Sequence, residues 1–231
     1  MTTGSPFKLI ALTGGSGAGK SWLADHLCRE FGDQATSLSL DNFYCDFSHL
    51  TLSEREKINF DHPDTIDWPL LEDALRQLQN GETVATPRYD FVSHTRWNNG
   101  EWRSPRPFIF VEGLWPLWPR HVRETFDLRV FLDCPESLRW QRRLARDLNE
   151  RGRTMYSARE QFWKVVAPMH QQFVEAQRAW ADLVIEQPIS QTDLDQLGAT
   201  IRALQSESDP TLIAIIGSPP ATPPVAARQY L

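Results

Sequence analysis

The segment Gly14-Gly15-Ser16-Gly17-Ala18-Gly19-Lys20-Ser21 constrains this chain more than any other. It follows residues 7–13 (FKLIALT), a short and almost unbroken apolar run of the kind that forms a strand buried on both faces. It precedes a helical pattern from Lys20 to Phe31, stopped by Gly32, with Trp22, Leu23, His26 and Leu27 expected on or near one face. A second strand is expected at 36–40 (TSLSL), ending in Asp41. Strand, glycine-rich turn, helix and strand in this order form a βαβ unit, which commits the chain to helices packed on a parallel sheet.

The eight residues also fit the pattern GxxxxGK[ST]. The glycines allow successive backbone N–H groups to turn inward around phosphate oxygens. The following helix adds the partial positive charge of its N-terminus. Lys20 is placed to reach the β and γ phosphates, and Ser21 to offer its hydroxyl to Mg²⁺. Residues Gly14 to Ser21 are therefore assigned to a nucleoside triphosphate, ATP or GTP. The loop leaves the acceptor open, because kinases, GTPases and ATPases all use it.

Further strands are expected at 108–111 (FIFV), closed by Glu112-Gly113, at 128–133 (LRVFLD) and at 182–186 (DLVIE). Helices are expected at 69–80, from Pro135 to about Asn149, over roughly 157–179, and at 193–205. Residues 42–68 read as irregular. Residues 82–107, with a turn signal at Asn99-Gly100, read as an antiparallel excursion from the main sheet and a small lobe. The last 26 residues, 206–231, contain 5 prolines and read as a mostly disordered tail. The expected domain is thus 1–205.

Two carboxylates are expected at strand ends, the edge of an open parallel sheet that faces the ligand crevice. Asp41 is a candidate base for a substrate hydroxyl and a candidate Mg²⁺ ligand, with an N-cap or Asx turn as the alternative. Glu112 resembles a Walker-B carboxylate, with a structural hydrogen bond to the glycine-rich loop as the alternative. Residues 139–153 hold 6 Arg against two acids. Arg139, Arg143, Arg146 and Glu150 share one helical face, and Arg151 and Arg153 flank Gly152. Such a lid, spanning 139–160, can clamp a transferring phosphoryl group and exclude water, with a solvated basic helix carrying surface ion pairs as the alternative for the cluster. Arg139 and Arg142 taken singly read as solvated surface residues. Asp61, in NFDHPD, and Tyr89, Phe91 and His94, in PRYDFVSHTR, suit a sugar and a planar base, but a packed loop would look the same. Trp115 and Trp118 follow Glu112 and are candidates to wall the acceptor site, with core or interlobe packing, expected of most of the 9 Trp, as the alternative.

The charge balance, 24 Lys and Arg against 30 Asp and Glu, gives no support to a nucleic-acid partner. Cys28, Cys45 and Cys134 form neither a zinc pattern nor a disulfide scaffold. The chain shows no signal-peptide pattern and no apolar run approaching a membrane span, so a cytoplasmic, membrane-free location is expected.

Seven segments occur in the order of a known family: GGSGAGKS at 14–21, SLDNFY at 39–44, NFDHPD at 59–64, PRYDFVSHTR at 87–96, VEG at 111–113, RRLARDLNERGR at 142–153, and QF to ADLVI from 161 to 185. With them the chain resembles the uridine kinases of the phosphoribulokinase/uridine kinase family. The resemblance implies an α/β three-layer fold of the P-loop nucleoside triphosphate hydrolase type, with a mostly parallel sheet, a small antiparallel excursion and an Arg-rich lid. It implies transfer of the γ-phosphoryl group of ATP or GTP to the 5′-hydroxyl of uridine, and usually of cytidine, in pyrimidine salvage. Asp41 would be the base, and Ser21, Asp41 and Glu112 would surround Mg²⁺. Asp61 would bind ribose, Tyr89 and His94 the pyrimidine, and Arg143 and Gln161 the nucleoside. Lys20, Arg146, Arg151 and Arg153 would face the phosphates. A homotetramer is implied as well. Related kinases of phosphoribulose or pantothenate are the enzymatic alternative, and a nucleotide-gated binding module is the nonenzymatic one. Ala176 and Trp180 stand where relatives often have Pro and Tyr.

Overall fold

A computed structural model describes residues 6–97 and 100–205. In chain order, β1 (Lys8–Gly14) passes through the phosphate loop into α1 (Lys20–Phe31) and β2 (Ala35–Ser39). The short α2 (Leu52–Arg55) and the longer α3 (Trp68–Gln79) follow. Next come the short strands β3 (Val84–Ala85), β4 (Arg88–Asp90), β5 (Thr95–Trp97) and β6 (Trp102–Arg103). The chain returns to the core with β7 (Phe108–Gly113), α4 (Arg120–Arg123), β8 (Leu128–Asp133) and α5 (Glu136–Asn149). A helical run opens with α6 (Met155–Gln161), passes through wide turns on either side of α7 (Ala167–Met169) and ends at Trp180. Then β9 (Leu183–Glu186) and α8 (Gln191–Ala203) complete the described fold.

The five long strands lie in the order β2-β7-β1-β8-β9, and every pairing is parallel. The strands feed two cores by alternation, since successive side chains point to opposite faces. Leu9 and Ala11 of β1, with Ile109 and Val111 of β7, pack against Leu71 and Leu75 of α3. Ile10 and Leu12, with Phe108 and Phe110, pack against Leu23 and Leu27 of α1 and Leu197 and Ile201 of α8. Helices on both faces make this an α/β three-layer fold.

Local chemistry sets the helix ends. Asp67 caps α3 by accepting from the Leu70 amide at 3.2 Å, and Pro69 occupies the first turn. Ser190 and Asp193 form a reciprocal cap on α8. On α1 the buried face is Leu23, Ala24, Leu27 and Phe31. Trp22 departs from the expected face: it is 50% exposed and stacks on His26 along the solvent side.

The expected antiparallel excursion is present, with a different pairing. β4 pairs with β5 around a turn at 91–94, where His94 takes the left-handed backbone (φ 52°), and β3 pairs with β6. The strands flanking the expected Asn99-Gly100 turn therefore pair with earlier strands and not with each other. Asn98 and Asn99, like the proline-rich tail 206–231, lie outside the described residues. The irregular stretch 42–68 contains α2 and a 3₁₀ turn at Pro63–Thr65.

Three further expectations are corrected. Asp41 sits not at the last residue of β2 but in a 3₁₀ turn, Leu40–Phe43, just beyond it. Trp115 is core: it is 1% exposed, on the α3 side of the sheet. Trp118 packs on Phe173 and Trp180. The cause is Gln177, fully buried, which accepts from the Leu117 amide at 3.0 Å and donates to the Leu114 carbonyl at 2.8 Å, drawing residues 114–117 inward. Arg139 is 3% exposed, because its chain packs on Gly15 and its Nε donates to the Cys134 carbonyl at 3.1 Å. Among the described residues no helix is long and apolar enough to cross a membrane.

Candidate active site

At the C-terminal edge of the sheet the phosphate loop is pressed against α5. Gly17 has φ +84°, and a Cβ there would lie 2.5 Å from the Arg139 carbonyl oxygen. Only glycine meets both conditions. Lys20 is buried, and its Nζ donates to the Gly15 carbonyl at 3.0 Å. Burial pushes the ammonium pKa down, and the carboxylates of Glu112 and Asp41 oppose that shift.

Those two carboxylates come from the end of β7 and from the turn just beyond its neighbour β2. Ser39 donates from its hydroxyl to Glu112 Oε1 at 2.6 Å and accepts from the Asp41 amide at 3.4 Å. Burial pushes the Glu112 carboxyl up and the Asp41 charge adds to this, while Lys20 and the hydroxyls of Ser39 and Ser21 act the other way. Two crowded carboxylates beside a serine hydroxyl are a set of hard oxygen donors, which suits Mg²⁺. Among the described residues no group of three or more His, Cys, Asp or Glu side chains is arranged to hold a metal. Two carboxylates and a hydroxyl leave coordination positions for phosphate and water oxygens, as Mg²⁺ usually keeps.

Opposite the loop stand the arginines of α5 and the turn after it. Arg143 Nη1 and Arg146 Nη2 both donate to Ser16 Oγ, at 2.9 and 3.2 Å. Arg143 also donates to Gln161 Oε1 at 3.3 Å and lies 3.8 Å from Asp61 Oδ1. Burial lowers the Arg146 pKa, and the charges of Arg151 and Arg143 lower it further. Burial also lowers Arg153. The Arg151 guanidinium lies 4.5 Å from the centre of the Phe91 ring.

The far wall is aromatic. His94 stacks on Phe60 with ring centres 4.8 Å apart and planes 8° from parallel, and its Nδ1 is 3.4 Å from the Tyr89 hydroxyl. Burial and the Asp41 charge hold the Tyr89 phenol well above its ordinary pKa. Burial and the Arg153 charge hold the His94 imidazole below its own. Both side chains are thus neutral at pH 7. Burial raises the Asp61 carboxyl, against the lowering effect of Arg143. Arg96 fastens the β4–β5 hairpin to the domain through Asp67 Oδ2 at 2.8 Å and the Tyr44 carbonyl at 3.2 Å.

Ser16, Lys20, Ser21, Asp41, Asp61, Tyr89, His94, Glu112, Arg143, Arg146, Arg151, Arg153 and Gln161 all line one cleft. Trp115 and Trp118 do not. Sequence reasoning missed Ser39, Tyr44, Phe60 and Asp147. Asp147 had a usable signal, standing four residues after Arg143 and four before Arg151.

A profile of the Phosphoribulokinase / Uridine kinase family matches residues 9–194, the whole stretch that builds this cleft. The chain belongs to that family. Its relatives in the phosphoribulokinase/uridine kinase family include a uridine kinase of Clostridium perfringens, 40% identical over 177 residues, covering 76% of this chain and 85% of the relative. A uridine kinase of Staphylococcus haemolyticus is 38% identical over 201 residues, covering 86% and 97%. The fold matches that of D-glycerate 3-kinase from Cryptococcus neoformans with a TM-score of 0.60 at 17% identity, over 80% of this chain and 88% of the other. At that identity the likeness bears on the fold alone.

Proposed function

We propose that the protein is a uridine kinase. It moves the γ-phosphoryl group of ATP to the 5′-hydroxyl of uridine, and also of cytidine, giving the nucleoside monophosphate and ADP for pyrimidine salvage. One observation carries this reading. A single cleft joins the phosphate loop to the Asp61, Tyr89 and His94 wall, and the Asp41 charge acts on Lys20 and Glu112 as well as on Asp61 and Tyr89. The uridine kinases among the relatives support it.

Asp41 accepts the proton of the 5′-hydroxyl as the oxygen approaches phosphorus. Lys20, Arg146, Arg151 and Arg153 stabilise the charge on the transferring oxygens. Asp61 orients the ribose, Tyr89 and His94 meet the pyrimidine edge, and Arg143 and Gln161 hold the nucleoside beside the loop. Ser21, Asp41 and Glu112 would hold Mg²⁺, which when bound offsets triphosphate charge and helps orient the phosphates. GTP is a second donor, since the loop grips phosphates and not the base. The segment 139–160 closes over the donor as a lid of the 1–205 kinase domain, and the enzyme works in the cytoplasm as a homotetramer.

A panel of uridine, cytidine, phosphoribulose and pantothenate with Mg²⁺ and ATP or GTP, read by product mass, tests the acceptor and donor. Uridine and cytidine monophosphates are expected. Exclusive phosphorylation of phosphoribulose or pantothenate would replace the nucleoside reading. Light scattering on the eluting protein checks the tetramer.

A further inference from the structure

Asp147 lies in the last turn of α5 with no exposed side-chain surface. Its Oδ2 is 3.4 Å from Arg143 Nε, and its Oδ1 is 3.6 Å from Arg151 Nη1 and 3.9 Å from Arg146 Nε. Its carbonyl oxygen accepts the Arg153 amide at 3.0 Å, in a turn that the left-handed backbone of Gly152 (φ 62°) allows. One residue thus meets Arg143, Arg146, Arg151 and Arg153, four of the arginines of the lid. The three side-chain approaches are ion-pair contacts without hydrogen-bond geometry, and neither carboxylate oxygen of Asp147 makes a hydrogen bond.

The arrangement is directional. Asp147 faces the Nε ends of Arg143 and Arg146, while their Nη ends converge on Ser16 in the phosphate loop. Two other carboxylates act on the group from the cleft side: Asp61 lies 3.8 Å from Arg143 and also feels Arg151 and Arg153, and the Asp41 charge acts on Arg146. Without a shared counter-charge, three crowded guanidiniums would repel one another and relax into separate rotamers. A buried anion also offsets part of the attraction of the cluster for a triphosphate. It therefore serves geometry at some expense of ground-state affinity.

We infer that Asp147 is a positioning residue for phosphoryl transfer, the shared buried counter-charge that aligns Arg143, Arg146 and Arg151 from behind so that their tips meet the transferring group. The inference rests on the kinase reading above. Its test compares Asp147→Asn, which removes the charge at constant shape, and Asp147→Glu, which keeps the charge and shifts it by one methylene, with the parent in the intact chain. Asp147→Asn is expected to lower kcat on the best acceptor about 30-fold or more, in the range seen when groups supporting a reactive site are removed. The Kd of a non-hydrolysable ATP analogue with Mg²⁺, by calorimetry, should stay within about 3-fold of the parent or become tighter. Asp147→Glu should fall between, about 5- to 10-fold below the parent in kcat at parental Kd.

A kcat for Asp147→Asn within about 3-fold of the parent overturns the inference, as does a parallel loss of kcat and analogue binding, the mark of a merely structural role. If Asp147→Asn does not fold, Asp147→Glu decides alone: parental kcat refutes the inference, and reduced kcat at parental Kd supports it. If the parent phosphorylates no nucleoside, that reading fails by itself, and the same comparison is made on ATP hydrolysis and analogue binding.

Discussion

The Ser39 hydroxyl and the Glu112 carboxylate are joined by a 2.6 Å hydrogen bond across the paired ends of β2 and β7. Since the same hydroxyl accepts from the Asp41 amide, one serine sets the relation between the two carboxylates assigned to base and metal duty. Replacing it leaves both carboxylates in place but frees their mutual position. Ser39→Ala is expected to lower kcat about 10-fold with little change in the KM for uridine, measured by steady-state kinetics. An unchanged kcat would show that this bond has no bearing on the reaction.

Asp41→Asn keeps the shape of the 3₁₀ turn and removes the proton acceptor. Phosphoryl transfer is expected to fall by about 10²-fold or more while ATP binding persists. Single-turnover assays and calorimetry read the two separately. Near-parental turnover would mean that Asp41 is not the base.

Gly17→Ala meets two obstacles at once, a positive φ and the Arg139 carbonyl 2.5 Å from the new methyl. The loop and the start of α5 must separate, so the variant is expected to lose ATP binding by at least about 10-fold and to melt at a lower temperature. Calorimetry and a thermal melt check both effects.

Asp61→Asn links binding to pH-dependent stability. Burial holds the folded-state carboxyl above its ordinary value of 3.8. The folded protein therefore binds that proton more tightly than the unfolded chain, and the ionised group detracts from stability near neutrality. The variant is expected to melt above the parent at pH 7. The difference should shrink as the pH falls through the raised folded value towards 3.8. The KM for uridine should rise by about 10- to 100-fold, as expected for a lost hydrogen bond to a charged group. Melts across that pH range and nucleoside kinetics check the two halves.

His94→Ala removes the ring stacked on Phe60 and the partner of the Tyr89 hydroxyl, on the wall farthest from the phosphate loop. Nucleoside phosphorylation should suffer far more than background ATP hydrolysis. Equal damage to both would remove His94 from the acceptor site.

Much of this architecture could be read from residue order because it rests on local rules. Continuous apolar runs announced β1, β7 and β8, and the glycines and Lys20 announced the loop between β1 and α1. The same reading placed Trp115 and Trp118 at the acceptor site, and Gln177, some sixty residues on, draws that stretch into the core. Asn99-Gly100 has the local chemistry of a hairpin tip, but strand partners are chosen by nonlocal packing, and the strands on either side of it pair elsewhere.

What the amino-acid order determined by itself was the alternation of strands and helices and the set of groups able to handle a triphosphate, because backbone periodicity and side-chain chemistry are properties of short segments. What only the tertiary structure decided was the electrostatic setting of those groups. Asp61 meets Arg143 across more than eighty residues, and Asp147 loses all contact with water among arginines that a helical wheel would leave solvated. Burial and charge proximity come from how distant segments pack, and they decide which of many acids and bases are placed to do chemistry.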